Sequence, residues 1–246
     1  MLIAEKHQRF LEFMTKHFDT YFEAVEPETE NGRLVCDFSR PKWHTYKHDQ
    51  SSWFLSSFPE EYAIIQQYFR HCPKGDLAFD FGAYCGLSTV EMAKRFKRVI
   101  AFEPDPLNLG CLVINTSHIQ NVTILPYAIS QVSGKVDFLT EGSPGGSLAL
   151  TTHDPYHSMK VCSLSLADAC ALYGVPDFIA MDIEMAEVEV LESSRALLQR
   201  EKISFSIDTG HGEPNTSLPV EKILKECGYT GETEFLEGLS TTWGWK

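Results

Sequence analysis

Hydrophobic positions change their spacing repeatedly along the chain after residue 76. Short apolar runs end in glycine or acidic residues, and each is followed by a segment whose apolar positions recur every three or four residues. The pattern predicts strands over 77–83, 98–104, 121–130, 177–184 and 203–210, and helices over 87–96, 107–117, 166–173, 187–201 and 217–227. Weaker strands are predicted over 135–140 and 159–165, and a closing antiparallel pair over 230–235 and 241–246. Because the stronger strands are apolar throughout, we expect a mostly parallel sheet with helices on both faces.

The first quarter of the chain has a different pattern. Apolar spacing near 3.6 predicts an amphipathic helix over residues 1–25, and a second helix is predicted to open at Pro59. Residues 27–55 are rich in aromatic side chains and have no clear period. We therefore divide the chain into an N-terminal helical and aromatic segment, 1–72, with a lid, substrate or dimer role, and a cofactor-binding domain, 73–246.

Composition and charge argue against several kinds of partner and site. The net charge of −13 and the absence of a Lys/Arg-rich block argue against a nucleic-acid partner. The seven cysteines include no C-x-x-C pair, which favours reduced thiols over a zinc or thioredoxin-type site. The early charges at Glu5 and Lys6 argue against a signal peptide, and no uncharged apolar stretch is long enough for a membrane span. These features predict a cytoplasmic protein that does not bind membranes.

A glycine turn follows the first predicted strand of the second domain. Asp80, Gly82 and Gly86 lie between this strand and a helix, and the glycines have the spacing G-x-x-x-G. Dinucleotide sites use G-x-G-x-x-G, in which the middle glycine lets the backbone approach a pyrophosphate. S-adenosylmethionine has no phosphate, and its ammonium group requires an acid such as Asp80. An ordinary strand-to-helix turn is the alternative interpretation.

Two further strand ends extend this site. Glu103 lies 23 residues after Asp80 (103 − 80), and an acid at about this distance commonly accepts the two ribose hydroxyls. Tyr127 and Ala128 end the third strand, where an adenine ring would lie. A solvated acid and a core tyrosine are the alternatives.

Acidic residues also end the next two predicted strands. Asp182 and Glu184 are two apart and would point to the same side of an extended strand, and Asp208 and His211 follow the neighbouring strand. His211 or a carboxylate could act as general base for a hydroxyl, or the group could hold a divalent cation. We do not favour the cation and assign no metal ligand. Helix capping by the glutamates and a loop histidine without a role remain alternatives.

These motifs together resemble the FkbM-type methyltransferase family. The similar segments are LAFDFGAYCGLST, VIAFEPDP, NVTILPYAISQVSGKVDF, VCSLSLADA, DFIAMDIEMAEVEVLES and ISFSIDTGH. The resemblance implies a Rossmann-like class I methyltransferase sheet, mostly parallel with an antiparallel C-terminal strand. It also implies S-adenosylmethionine as methyl donor, S-adenosylhomocysteine as product, and a hydroxyl of a small molecule or glycan as acceptor. The expected cofactor residues are Asp80, Gly82, Ala83, Tyr84, Gly86, Glu103, Pro104, Tyr127 and Ala128, and the expected catalytic residues are Asp182, Glu184 and His211.

The chain departs from the family pattern on the acceptor side. Met185 replaces the usual glycine after the D-x-E motif, and Asp208 replaces the usual glutamate. Two other functions therefore stay open: an oxidoreductase with a nucleotide cofactor, and a catalytically degenerate binding protein with a methyltransferase fold. A homodimer is compatible with the sequence.

Overall fold

A computed structural model describes residues 28–30, 33–36, 43–45, 68–139, 147–148, 158–211, 215–236 and 239–246. The helix predicted over residues 1–25, most of the helix after Pro59, and most of the loop between 140 and 157 lie outside these residues. Among the described helices, none combines the length and apolar character needed to cross a bilayer.

The described chain contains thirteen strands and six helices. The strands are β1 Glu28–Glu30, β2 Arg33–Cys36, β3 Trp43–Thr45, β4 Gly75–Phe81, β5 Phe96–Phe102, β6 Val122–Leu125, β7 Tyr127–Ile129, β8 Gly134–Leu139, β9 Ser158–Leu164, β10 Phe178–Met181, β11 Ser204–Asp208, β12 Thr230–Leu236 and β13 Leu239–Trp245. The helices are α1 Leu87–Ala93, α2 Pro106–Thr116, α3 Leu166–Tyr173, α4 Glu187–Ser193, α5 Arg195–Arg200 and α6 Ser217–Glu226.

A seven-stranded sheet is formed by strands that lie between Gly75 and Trp245. Its strand order is β12-β13-β11-β10-β4-β5-β6. The five strands from β11 to β6 are parallel, whereas β13 runs antiparallel to β11 and β12 runs antiparallel to β13. This confirms the predicted α/β fold with an antiparallel C-terminal pair.

The central strand β4 shows why its sequence is apolar without alternation. Leu77, Phe79 and Phe81 pack into the larger core on one face of the sheet. Ala78 packs on the opposite face, where Tyr68 and other residues form a second core. Both faces are therefore buried, as expected for the centre of a parallel sheet, and the carboxyl end of β4 lies between two helical layers.

The prediction of one strand over 121–130 is wrong. Two strands occupy this segment, and they belong to different sheets: β6 is the edge of the large sheet, while β7 pairs with β9 in a small sheet of order β7-β9-β8. Pro126 separates them, and proline cannot donate a backbone hydrogen bond to either ladder. The chain therefore leaves the large sheet at this residue.

Two other boundaries also differ from the predictions. The helix predicted over 187–201 is interrupted at Ser194, after Ser193 has turned its hydroxyl back to donate to the Val190 carbonyl. The strand predicted over 177–184 ends at Met181, and a turn with positive φ at Glu184 and Met185 follows it. The short antiparallel strands β1, β2 and β3 lie in the segment where the sequence indicated no period.

Candidate functional site

The turn after β4 is tied to the end of the neighbouring strand β5. The backbone amides of Gly82 and Ala83 both donate to the carbonyl of Phe102, at 3.1 and 3.0 Å. The amide of Gly86 then closes the turn by donating to the Ala83 carbonyl at 2.8 Å. The first two amides of the turn are therefore used within the protein.

Glu103 lies beneath this turn and is almost fully buried. One of its carboxylate oxygens accepts the amide of Tyr84 and the other accepts the amide of Asp105, both at 2.8 Å. Burial raises the pKa of Glu103 to about 8, against the effect of these hydrogen bonds. Because a carboxylate has about four acceptor positions, it can accept further donors from a ligand that covers it.

Asp80 lies at the other side of the same turn. It is 2% exposed, and its Oδ2 accepts the hydroxyls of Ser88, at 2.8 Å, and Thr89 in the first turn of α1. Burial raises its pKa to about 6, and the hydroxyl hydrogen bonds oppose the rise. The sequence analysis did not identify Ser88 and Thr89, although hydroxyl residues directly after a glycine turn were a usable signal.

The two glycines of the turn are required by its geometry. Gly82 has φ +81°, and a Cβ atom placed there would lie 1.8 Å from the carbonyl oxygen of Asp182. Gly86 has φ +99°, and its Cβ would lie 2.7 Å from Leu112. The first position therefore brings the turn against the end of β10, and the second lets α1 pack on α2.

The acceptor side of the site begins at the ends of β10 and β11. The register pairs Met181 with both Phe81 and Ile207, so that Asp182, Gly82 and Asp208 follow at one edge of the sheet. Asp182 was expected to share a strand face with Glu184, but the strand ends before both residues. They converge by a different route, since Glu184 lies in a left-handed turn at φ +53°.

His211 lies at the centre of this acidic group. Its Nε2 is 3.1 Å from Asp182 Oδ1 and 3.7 Å from Asp208 Oδ1, and its Nδ1 is 3.2 Å from Glu184 Oε2. The predicted convergence of Asp182, Glu184, Asp208 and His211 is therefore present in the structure.

The electrostatics of this group follow from its composition. Burial alone would lower the pKa of His211, but its hydrogen bond to Asp182 and the charges of Asp182, Asp208 and Glu184 raise it to about 10. Burial, followed by repulsion from Asp182, raises the pKa of Glu184 to about 7 and that of Asp208 to about 6. In the ligand-free protein at neutral pH, His211 is thus protonated and not free to accept a proton.

A strained turn follows Asp182. Glu184 and Met185 have φ values of +53° and +78°, which non-glycine residues rarely adopt. Glu187 stabilises the turn because its Oε1 accepts the amide of Ile183 at 3.1 Å, and Ser147 donates to the Glu184 carbonyl at 2.9 Å. Met185, at the family's usual glycine position, therefore occupies a glycine-like conformation.

Tyr68 supports the same strand end from the N-terminal side. Its hydroxyl donates to the Met181 carbonyl at 2.7 Å and accepts the Met181 amide at 2.9 Å. Its own carbonyl accepts the hydroxyl of Ser206 at 2.7 Å and the indole N–H of Trp243 at 3.1 Å. Sequence reasoning missed this residue, because its partners lie more than a hundred positions away along the chain.

Tyr127 and Ala128 lie on β7, just beyond the last residue of β6. Leu125 at that end accepts the amide of Glu103 at 3.1 Å, which places the start of β7 beside the Glu103 end of the site. Tyr127 is partly exposed, and Ala128 is buried. Pro104, directly after Glu103, is also partly exposed. Stacking on an adenine ring by Tyr127 stays a prediction.

The chain is similar in sequence or in fold to proteins named as methyltransferases. A Dictyostelium discoideum protein with a provisional methyltransferase name is 40% identical over 85 residues, which cover 33% of this chain and 30% of that protein. The crystal structure of the methyltransferase FkbM from Methylobacillus flagellatus KT aligns with a TM-score of 0.52 and 18% identity, over 80% of this chain and 55% of that one. The precorrin-6y C5,15-methyltransferase of Geobacter metallireducens GS-15 aligns with a TM-score of 0.48 and 14% identity, over 76% of this chain and 89% of that one.

The chain thus spans about half of the length of the solved FkbM structure and a smaller share of the curated relative. The family model described as the methyltransferase FkbM domain matches residues 80–230, from Asp80 in β4 to Thr230 at the start of β12. This match covers more than half of the chain, and the chain belongs to the FkbM methyltransferase family.

Proposed function

We propose that this protein transfers a methyl group from S-adenosylmethionine to a hydroxyl oxygen of a small molecule or sugar. One observation carries the proposal: two buried acids, Asp80 and Glu103, flank a glycine turn at the carboxyl edge of the parallel sheet. In open α/β sheets this edge is where ligands bind.

The residues present fit this cofactor. Glu103 holds the turn through two backbone amides and keeps acceptor capacity for two ribose hydroxyls. Asp80 provides negative charge at the far side of the turn, where a methionine ammonium group requires it. Gly82 lets the turn lie against the end of β10, and Gly86 lets α1 pack on α2, so the two glycines fix the shape of the proposed site. Ala83, Tyr84 and Pro104 complete the predicted contact surface.

The same turn argues against a dinucleotide. Pyrophosphate sites need backbone amides that point to the ligand, whereas the amides of Gly82 and Ala83 donate to the Phe102 carbonyl. The oxidoreductase alternative therefore has no specific observation in its favour.

The acceptor side provides acid–base groups for a hydroxyl. The bound cofactor supplies an electrophilic methyl group on a sulfonium, so the protein has to align the oxygen, exclude water and accept its proton. Asp182, whose side chain is 47% exposed, is the carboxylate of the group that an entering acceptor meets first. His211 neutralises part of the surrounding charge, and Glu184 fixes its ring from the other nitrogen.

Calorimetry with the full chain tests the cofactor assignment. We expect S-adenosylhomocysteine to bind and NAD not to bind, and Glu103→Ala to weaken binding by about 1–3 kcal/mol through lost charge-assisted hydrogen bonds. Binding of NAD alone, or an unchanged affinity in Glu103→Ala, would contradict the ribose assignment.

Transfer of a labelled methyl group to a panel of hydroxyl compounds, including sugars, tests the reaction. We expect His211→Ala to lower turnover more than it lowers S-adenosylhomocysteine affinity. Cofactor binding without transfer to any acceptor would instead favour the degenerate binding protein. A cytoplasmic location and the absence of nucleic-acid and membrane partners stay predictions from the sequence.

A further inference from the structure

The acidic group around His211 carries more negative charge than its own residues compensate. Three carboxylates, from Asp182, Glu184 and Asp208, surround one imidazole. In the described part of the chain, no lysine or arginine forms an ion pair with any of the three. Buried or half-buried charges are normally paired, neutralised by a proton or bound to a metal, so a further cation would offset the excess of carboxylates.

Glu187 gives an independent sign of the same excess. Its side chain is fully buried against the turn that carries Asp182, and its Oε1 accepts the Ile183 amide. Its other oxygen, Oε2, is buried without a hydrogen-bond partner. Glu187 thus adds a fourth carboxyl group with an unsatisfied oxygen, near enough to Asp182 and His211 for their charges to act on it.

The spacing of three of these groups suits one ion. One ligand atom each from Asp182, Asp208 and His211 can be chosen so that all lie within 4.8 Å of one another. The 3.1 Å between His211 Nε2 and Asp182 Oδ1 is close to the separation of about 3 Å expected for adjacent ligands at metal–ligand distances of about 2.1 Å.

The other nitrogen of the imidazole is already held in place. Glu184 Oε2 lies 3.2 Å from His211 Nδ1, which leaves Nε2 directed at the two aspartates. An ion that binds Nε2 replaces the proton held there, and this proton is released to solvent. Histidines that bind metals commonly donate their second N–H to a carboxylate in this way. An ion can reach the group from solvent, because the side chains of Asp182, Asp208 and His211 are 47%, 15% and 25% exposed. Water molecules can complete the coordination shell of the ion from the same side.

We propose that Asp182, Asp208 and His211 form a divalent-cation site at the ends of β10 and β11, with Glu184 as the positioning residue for His211. A mixed set of two carboxylates and one imidazole suits an ion of intermediate character such as Mn²⁺. The role of the ion rests on the proposed function: next to the methyl donor, it would lower the pKa of an acceptor hydroxyl. The site itself rests on the geometry alone.

Titration of the full-length, metal-free protein with MnCl₂, followed by the EPR signal of free Mn²⁺, tests the site. We expect one saturable Mn²⁺ per chain. Asp208→Asn and His211→Gln should each weaken this binding roughly tenfold or more. Asp137→Asn and His118→Gln change an exposed carboxylate and an exposed histidine away from the site, and should leave the affinity within about twofold.

Absence of saturable binding would overturn the proposal, and so would binding that both site variants leave unchanged. S-adenosylhomocysteine affinity is measured on the same samples. If the protein binds S-adenosylhomocysteine but not Mn²⁺, the proposed function stands and the metal site is refuted. If it binds Mn²⁺ but not S-adenosylhomocysteine, the metal site stands and the proposed function is refuted.

Discussion

The buried carboxylate of Glu103 should reduce the stability of the cofactor-free protein as the pH rises. Its pKa in the folded protein is about 8, against an ordinary value of 4.5, chiefly because of burial. Between these values the unfolded chain has lost the proton and the folded chain still holds it. Folding stability is therefore fully present below about pH 4.5 and falls as the pH rises toward 8.

The size of this effect follows from the two pKa values. Folding raises the pKa of the Glu103 carboxyl group from 4.5 to about 8. Each pKa unit corresponds to about 1.4 kcal/mol, so ionisation lowers the free energy of unfolding by about 5 kcal/mol at most. Between pH 6 and pH 8 the loss is about 2 kcal/mol. Glu103→Gln removes the titration. The difference in unfolding free energy between variant and wild type should therefore rise by about 2 kcal/mol over this window, in favour of the variant.

Urea unfolding of both proteins at pH 6, 7 and 8 measures this difference without cofactor. The lost backbone hydrogen bond of the glutamine lowers the stability of the variant by an amount that does not depend on pH, so it does not affect the slope. Glu189→Gln, at an exposed glutamate of α4, controls for the loss of a surface carboxylate. A difference that stays constant within about 0.5 kcal/mol would refute the reasoning, because Glu103 would then not titrate in this range.

Substitutions at Gly82, Tyr68 and Met185, two of them with a matched control, test the geometry of the site. Gly82→Ala places a Cβ 1.8 Å from the Asp182 carbonyl oxygen at φ +81° and should abolish the S-adenosylhomocysteine binding measured by calorimetry. Gly110→Ala is the control, because Gly110 lies in α2 with open space around it, and this variant should be more stable by about 0.5–1 kcal/mol. Tyr68→Phe removes both hydrogen bonds to Met181 and should cost about 1–3 kcal/mol in urea unfolding; an unchanged midpoint would show that the hydroxyl contributes nothing. Met185→Gly removes the side chain that makes a φ of +78° unfavourable and should raise the free energy of unfolding by about 1 kcal/mol. Met185→Ala keeps a Cβ atom at this φ and should not raise it. An equal increase in both variants would contradict the argument from φ.

The meeting of Asp80, the glycine turn and Glu103 could be predicted from the sequence because these residues are local to strand ends, whereas their role in cofactor binding stays a proposal. Asp80, the glycine turn and Glu103 follow strands whose apolar runs are unmistakable, and parallel strands bring their carboxyl ends to one edge. The meeting of Asp182 with His211 follows from the same rule applied to β10 and β11.

The remaining features depend on contacts or backbone angles that no local pattern encodes. The left-handed turn at Glu184 and Met185 contradicts ordinary propensity, since neither residue favours positive φ. The transfer of the chain from one sheet to another at Pro126 depends on where β9 lies, so the apolar run over 121–130 resembles one strand. The link from Tyr68 to Met181 joins residues 113 positions apart.

Tyr68 also determines where the chain can be shortened. A fragment that starts at residue 73 would contain every strand of the large sheet and the whole region matched by the family model. It would nevertheless leave the indole N–H of Trp243, the hydroxyl of Ser206 and the end of β10 without the partners that Tyr68 provides. Expression vectors for this protein should therefore begin well upstream of that tyrosine, because a boundary at the first strand of the large sheet would remove the hydrogen bonds that hold the backbone of Met181 at the end of β10.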